Sequence, residues 1–227
     1  IQTYLLETTR VVAHAANECT YHINYQLVLG ASSTERTEYQ LDSDPNKYAY
    51  LRSNSGAATK RRGEDPDGYR EVVGVLDMLK VSKELKRALF QTLSGLLSLG
   101  SVKFSENPNG DSMVQGSDEL NRASKLLGTN IALLQQALSS RTMRVKGTEM
   151  QIPLKVDESR SSRDALGKAV YLKLFGWVVA QVNGSLLDSK VQPSEHCFLG
   201  ILDIYGFENF QINSLEQLCI NFTNEQL

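Results

Sequence analysis

Cysteine and histidine are both scarce in this chain, with 3 of each among its 227 residues. The cysteines, Cys19, Cys197 and Cys219, are odd in number and lack the spacing of a zinc site. They are interpreted as buried or free thiols in a reducing compartment. The histidines are equally scattered, and structural roles are predicted for them. A disulfide-stapled scaffold and a Cys/His metal centre are therefore disfavoured.

A dominant charge and a long apolar run are also lacking. The 24 Lys and Arg residues nearly balance the 26 Asp and Glu residues, and the net charge is −2. No global attraction to nucleic acid or to an anionic membrane is expected, so no nucleic-acid partner is predicted. No apolar stretch is long enough to predict a transmembrane segment, and no secretory signal opens the chain. Because the sequence starts at Ile1 and ends inside a helical pattern, it is interpreted as a piece of a longer protein.

Apolar residues recur at helical spacing through most of the first 140 positions. Tyr21, Tyr25 and Val28 fall on one face of a predicted helix that Gly30 ends. Residues 31–68 are polar and rich in turn formers, and much of this segment is predicted to be surface loop. Four more helices are predicted from the apolar positions 72–79, 85–97, 120–127 and 131–138, with a short strand and a flexible loop between the second and third.

The pattern changes at residue 141. Residues 141–163 alternate apolar and polar side chains around VKGTEMQI, which is typical of a β-hairpin-like loop. A long helix is predicted from residue 164 to about residue 183, where Asn183-Gly184 would end it. The apolar run 198–202 predicts a strand covered on both sides. A final helix is predicted from Ser214, whose spacing to Gln217 is that of a capping box, with an apolar buried face made of Leu215, Leu218 and Phe222.

The sequence DIYGFENF places two acids and a glycine directly after the predicted strand. Ligands of an α/β sheet bind outside the carboxyl ends of its strands, where Asp203 is expected. Gly206 would let its N–H approach an anion, and Glu208 would bring a second carboxylate to the same region. D-x-x-G-x-E is thus the pattern of a phosphate sensor, with Asp203 on a Mg²⁺-bound water and Gly206 on a terminal phosphate. Taken alone, D-x-x-G more often marks a strand end that merely carries acids.

Two motifs of related nucleotide-binding proteins are not in the chain. The nearest match to a P-loop, at Gly167-Lys168, continues with alanine and lies within a predicted helix. The guanine-recognition pattern N-K-x-D fails at Asn46-Lys47, because tyrosine and alanine follow. A GTPase-like switch protein is therefore disfavoured.

Longer strings carry a resemblance to a known family. FLGILDIYGFENFQINSLEQLCINFTNEQL is similar to the switch II loop and the start of the relay helix of myosin motor domains. IQTYLLETTRVV and YHINYQLVLGA resemble the myosin stretch that follows switch I. SDPNKYAYL, LSLGSVKF, SKLLGTNIALLQQALSSRT and SRDALGKAVYLKLFGWVVAQVN resemble the actin-cleft helices in the same order. Departures at Cys19, Gly167, Asn209 and Leu215 leave the phosphate-sensor positions unchanged.

The resemblance implies an α/β fold of the P-loop NTPase type, to which this chain would contribute a mostly helical part of the myosin motor core and one central-sheet strand. Residues 1–190 would form the upper actin-cleft subdomain, and residues 191–227 the strand, switch II and the start of the relay helix. The implied function is that of a cytoplasmic, actin-activated ATPase motor of the actin cytoskeleton, acting within a myosin complex. ATP and Mg²⁺ would be the cofactors and the actin filament the partner, with calmodulin or light chains bound outside this chain. A catalytically inactive actin-binding or scaffold relative is the alternative, since the P-loop and switch I would lie upstream.

The resemblance also assigns roles to residues. In the family, closure of switch II brings the glycine N–H to the γ-phosphate and joins the glutamate to an arginine of switch I, which positions the attacking water. Those catalytic roles fall on Gly206 and Glu208 here, and the indirect contact with Mg²⁺, through a bound water, falls on Asp203.

Residues 141–163 resemble the myosin surface loop that contacts actin, with Arg141, Arg144 and Lys146 as its basic residues. Myosins tend to place an acidic or phosphorylatable residue sixteen positions before the aspartate of their D-A-L-x-K string, and here that residue is Thr148. Thr148 is therefore a phosphorylation candidate. The alternative is a β-forming residue of a hairpin, with Glu149 supplying a constant charge. Pro153 falls where related unconventional myosins place a proline, which supports the register that selects Thr148. A kinase-regulated threonine would point to an unconventional, class I-like motor.

Overall fold

The computed structural model describes residues 1–3, 5–14, 18–52, 65–145, 147–186, 200–211 and 213–227. The described part is mostly helical, as predicted. Its α-helices are α1 (His22–Gly30), α2 (Ser33–Glu38), α3 (Asp65–Met78), α4 (Lys83–Gly100), α5 (Asp118–Leu126), α6 (Ile131–Ser139), α7 (Val156–Leu186) and α8 (Leu215–Gln226). Short 3-10 helices span Thr8–Val11, Pro45–Lys47 and Ala49–Leu51. The strands form two antiparallel hairpins, β1 (Lys103–Glu106) with β2 (Ser112–Gln115), and β3 (Ser140–Val145) with β4 (Thr148–Pro153).

Helix α4 lies at the centre of the core. Ser82 caps its N-terminus, because the hydroxyl oxygen accepts the Leu85 N–H at 3.2 Å. The helix packs against α5 and α7, while α1 packs against α3. Burial of each large apolar side chain contributes about 1.5–3 kcal/mol. The predicted apolar face of α4 is confirmed at its buried leucines, Leu89, Leu93 and Leu97, whereas Leu85 in the first turn is exposed.

Glycines in α1 and α4 allow neighbouring side chains to contact the helix backbone. A Cβ added at Gly100 would lie 2.5 Å from Cδ2 of Tyr50, and one at Gly30 would lie 2.4 Å from Cβ of Tyr69. Gly30 is the last residue of α1, as predicted, but it does not adopt the left-handed conformation of a helix stop. Its lack of a side chain instead allows Tyr69 of α3 to approach the backbone of α1 closely.

Two segments contain more regular structure than the sequence predicted. The predicted surface loop 31–68 includes α2, where Ser32 and Glu35 form a reciprocal capping box, and the first turn of α3; residues 53–64 lie outside the described part. The segment between α4 and α5 was predicted to hold one short strand and a flexible loop. It forms a complete hairpin instead, in which Phe104 of β1 pairs with Val114 of β2. Pairing satisfies backbone groups that a lone strand would leave without partners.

Helix α7 is longer than predicted. It begins at Val156, so residues 156–163 are helical and do not belong to the β-hairpin-like loop. The N–H of Lys155, just before the helix, donates to Glu158 Oε2 at 2.8 Å and supports this earlier start. The predicted end at Asn183-Gly184 was wrong by two residues, because the helix continues through Gly184 to Leu186.

Helix α7 also bears on the prediction that there is no transmembrane segment. Among the described residues, it is the helix that is long and apolar enough to cross a membrane, judged by length and composition only. The same helix packs against α4, α6 and β1, as a helix of a folded domain does. Its apolar character is therefore weak evidence for a membrane span.

The predicted strand at residues 198–202 does not appear in the described residues. Positions 198 and 199 lie outside them, and residues 200–202 have no regular secondary structure. Ile201 is 93% exposed, so the expected burial on both sides is also absent at that position. The physical reason is that a strand requires a neighbour, and neither hairpin of the described chain pairs with this segment.

Candidate functional site

The predicted phosphate-sensor segment, residues 203–208, runs in an extended irregular path before α8. Asp203 and Gly206 are exposed, and Glu208 is half-buried. A Cβ added at Gly206 would meet no described atom within 4 Å, so the backbone there is open to a ligand. None of the hydrogen bonds or ion pairs among the described residues involves the Asp203 carboxylate, whose oxygens stay available.

Helix α8 fixes both the backbone and the carboxylate of Glu208. The Glu208 N–H donates to Asn221 Oδ1 at 2.7 Å, and Asn221 Nδ2 donates to the Glu208 carbonyl at 2.7 Å. Gln217 Nε2 donates to Glu208 Oε2 at 3.2 Å. Gln217 and Asn221 are four residues apart and lie on the same face of the helix. Glu208 is thus the residue of the segment that α8 holds in place.

The N-terminus of α8 matches its prediction, whereas its buried face does not. Ser214 is the N-cap, and its capping box with Gln217 is complete. The predicted apolar face was wrong, because its members are mostly exposed: Leu215 (72%), Leu218 (65%) and Phe222 (63%). The buried side chains of α8 are instead Gln217 and Ile220. In the described chain, α8 therefore turns partly polar side chains toward residues 203–208.

The N-terminal segment contacts the same region. Thr9 Oγ1 donates to Glu216 Oε2 at 3.2 Å, which links the first 3-10 helix to the first turn of α8. Tyr21 stacks on Tyr171 of α7, with ring centroids 4.7 Å apart. Burial and the nearby Tyr205 raise the pKa of the Tyr21 hydroxyl. The N-terminal part of the chain thus contacts both α7 and the first turn of α8.

The donor set suits a phosphate and an indirectly held Mg²⁺ only in part. Asp203 offers an exposed carboxylate of the type that binds Mg²⁺ or its water, and Gly206 offers an N–H that no described side chain obstructs. Among the described residues, no cluster of three His, Cys, Asp or Glu side chains could hold a metal ion. The segment can therefore contribute one carboxylate and one backbone donor to a site whose remaining ligands would come from other residues.

The second predicted site is the β3–β4 hairpin. Two residues connect its strands at positions 146 and 147, and Gly147 has a φ of +86°, which favours glycine. Arg141, Arg144 and Thr148 are exposed, while Lys146 lies outside the described residues. Arg144 and Glu149 lie directly opposite each other in the hairpin, and Arg144 Nη2 lies 3.3 Å from Glu149 Oε1. The predicted hairpin is confirmed for residues 140–153, whereas residues 156–163 of the predicted loop are helical.

The hairpin separates the predicted basic residues from one another. Side chains alternate between the faces of a strand, so Arg141 and Thr148 share one face and Arg144 with Glu149 takes the other. Arg141 pairs with Ile152, four residues along the strand from Thr148, which corresponds to about 13 Å. The structure therefore does not bring Arg141, Arg144 and Thr148 into one cluster.

The described chain also has an open cavity of about 400 Å³ far from residues 203–208 in sequence. Residues of α2, α3 and α4 line it, with three acids and three bases among them. Two of the bases are already paired, Arg87 with Glu38 at 2.5 Å and Lys86 with Asp77. Because its charges are balanced, this cavity has little attraction for a polyanion such as a nucleotide.

Sequence reasoning missed Gln217 and Asn221 as residues of the site. Gln217 was identified only as a helix cap, and Asn221 was not singled out. The available signal was the spacing of the polar residues at positions 217, 221 and 224, which places all three on one face of the helix. The apolar residues between them dominated the periodicity argument.

Residues 203–208 thus combine an exposed acid, an open glycine backbone and a second acid that the following helix holds. Comparison with known proteins gives the family. The model of the myosin head (motor domain) family matches residues 1–227, and the chain belongs to this family.

Three relatives illustrate the similarity. Unconventional myosin IC of Drosophila melanogaster is 40% identical, Myosin-3 of Arabidopsis thaliana 41% and Myosin-1 of Coprinopsis cinerea 37%, each over 100% of this chain. The aligned region covers 22%, 19% and 18% of those proteins, respectively. The chain thus spans about a fifth of the length of the curated relatives it matches.

Proposed function

We propose that this chain is the switch II and actin-cleft part of an actin-activated, Mg²⁺-dependent ATPase motor. Membership of the myosin head family along the whole chain carries the proposal. The open Gly206 backbone and the half-buried Glu208 support it, because a nucleotide sensor needs an accessible donor beside a positioned acid. The protein would act in the cytoplasm on actin filaments, within a myosin complex whose calmodulin or light chains bind elsewhere.

In this proposal the segment recognises the terminal phosphate and orients the attacking water. The Gly206 N–H would donate to a phosphate oxygen, and a side chain there would obstruct the approach. Glu208 would orient the water through a basic partner supplied by the rest of the motor. Asp203 would accept a hydrogen bond from a Mg²⁺-bound water. The bound Mg²⁺ would supply charge neutralisation at the phosphates.

The experiment that tests the proposal compares the whole motor with the 227-residue chain. The motor should release phosphate from ATP in a Mg²⁺-dependent reaction that actin filaments accelerate, and Asp203→Ala should raise the Mg²⁺ requirement. The isolated chain should not exceed the blank, because the phosphate-binding P-loop motif is not in its sequence. A motor that binds actin filaments without turnover would favour the scaffold alternative instead.

The β3–β4 hairpin is proposed as an actin-contacting surface, with Arg141, Arg144 and Lys146 as basic residues and Thr148 as a phosphorylation switch. The exposure of Thr148 supports access by a kinase. Glu149 pairs with Arg144 on the other face, so its charge does not stand in for a charge on Thr148. Phosphorylation would add about −1.5 to −2 charge to the face that Thr148 shares with Met150.

A further inference from the structure

We propose that Gln217 is a positioning residue for Glu208, with an amide orientation that the N-cap of α8 fixes. The inference rests on the proposed role of Glu208 and adds a residue to it. Gln217 is the N3 residue of the capping box, so its side chain was expected only to stabilise the helix end. In the structure, its other amide group contacts the Glu208 carboxylate.

The capping box determines which amide atom faces Glu208. The Ser214 N–H is a donor only, and it donates to Gln217 Oε1 at 2.8 Å. Oε1 is therefore turned toward the helix N-terminus, and the NH₂ group must point the other way. Nε2 lies 3.2 Å from Glu208 Oε2. An ionised carboxylate has no hydrogen to donate, so its oxygen can only accept a hydrogen bond, and the NH₂ group is the donor that it needs. Each end of the amide thus has its proper partner.

Burial makes this contact more than an incidental surface pair. Gln217 is 6% exposed, so its amide cannot readily exchange either partner for water. The backbone of Glu208 is held independently, by the two hydrogen bonds to Asn221. Asn221 therefore fixes where Glu208 lies along the chain, and Gln217 fixes where its carboxylate lies. Losing the Gln217 donor would release the carboxylate without releasing the backbone.

Gln217→Glu separates this role from helix capping. Glutamate at N3 completes a capping box as well as glutamine does, so α8 should keep its N-terminus. The variant has no NH₂ group, and it turns a second carboxylate toward Glu208, which like charges disfavour. The matched control is Gln226→Glu, which makes the same chemical change at an exposed position of the same helix.

Two measurements test the proposal. In the ¹⁵N-labelled 227-residue chain, the side-chain amide pair of Gln217 is identified by its loss in Gln217→Glu. Its hydrogens should exchange with water at least threefold faster in Glu208→Ala than in wild type, in line with loss of a hydrogen bond. In the whole motor, Gln217→Glu should lower kcat about tenfold with a smaller change in KM, while Gln226→Glu stays within twofold.

The outcomes distinguish the inference from the proposed function. An unchanged Gln217 amide in Glu208→Ala would overturn the inference, whatever the motor does. Normal turnover of Gln217→Glu in an active motor would overturn it as well. If the wild-type motor had no ATPase activity, the proposed function would fail, while the amide measurement would still decide whether Gln217 holds Glu208.

Discussion

Replacing Gly100 by alanine should destabilise the chain, although alanine is the better helix former. The added Cβ would lie 2.5, 2.6 and 2.7 Å from Cδ2, Cε2 and Cγ of the Tyr50 ring. The ring has little freedom to retreat, because Tyr50 is 4% exposed and its hydroxyl donates to Asp164 Oδ1 at 2.8 Å. Arg163 lies over the same ring at 5.8 Å from its centroid. A displaced Tyr50 would therefore lose both contacts.

The magnitude follows from two opposing effects. Alanine gains about 1 kcal/mol over glycine inside a helix. Overpacking of a filled core costs about 1–3 kcal/mol, and an unsatisfied buried hydroxyl adds about 1–3 kcal/mol. We therefore expect Gly100→Ala to lower the free energy of unfolding by about 1–5 kcal/mol. The matched control is Gly74→Ala in α3, where a Cβ would meet nothing within 4 Å. That variant should raise the free energy of unfolding by about 0.5–1 kcal/mol.

Urea denaturation of the 227-residue chain measures both variants, with the fluorescence of its 1 tryptophan as the signal. Opposite shifts of the two midpoints at an unchanged slope would support the packing argument. A Gly100→Ala chain as stable as Gly74→Ala would refute it, since Tyr50 would then have room to move.

Three further predictions concern the site, the hairpin and acid stability. Glu208→Ala in the motor should slow ATP hydrolysis about 100-fold and change nucleotide binding little. Quenched-flow kinetics measure the hydrolysis step and binding kinetics the nucleotide affinity, and equal losses in both would contradict the assigned role. Thr148→Glu should raise actin-activated ATPase at low actin relative to Thr148→Ala, with equal basal rates, and identical actin activation would exclude the switch. Burial opposes ionisation of Glu35, but hydrogen bonds from Ser32 and Tyr69 outweigh it and hold the pKa of Glu35 below 4.5. The stability from this carboxylate is present above pH 4.5 and is lost as the pH falls through its folded pKa, so wild type should weaken more steeply than Glu35→Gln in acidic urea titrations.

Helix ends could be predicted where the sequence carries a side chain that caps them. Ser214 with Gln217 identified the start of α8 correctly. The same kind of signal, Ser32 with Glu35, was available for α2 and was hidden by the turn-forming residues around it. The start of α7 gave no such signal, because Lys155 cannot cap through its side chain and uses its backbone N–H instead.

The site was predicted less completely than the helices. The pattern of Asp203, Gly206 and Glu208 predicted an accessible glycine and two acids, but not what holds them. Periodicity assigns apolar residues to the inside of a helix, and that rule failed for α8 because the side chains that contact Glu208 are polar. Periodicity alone could not establish the strand predicted at residues 198–202, because the burial of such a strand depends on neighbouring strands.

The outward face of α8 has a practical consequence for work with the chain alone. This face carries an apolar stripe at helical spacing. Its side chains are exposed to 72% at Leu215, 65% at Leu218 and 63% at Phe222. Contiguous apolar surface of this kind drives self-association in dilute solution and sets the concentration at which a protein stays monomeric. Light scattering or sedimentation should therefore accompany any spectroscopic measurement on the 227-residue chain. A charged substitution within the stripe, away from the side that contacts Glu208, offers a route to a better-behaved sample.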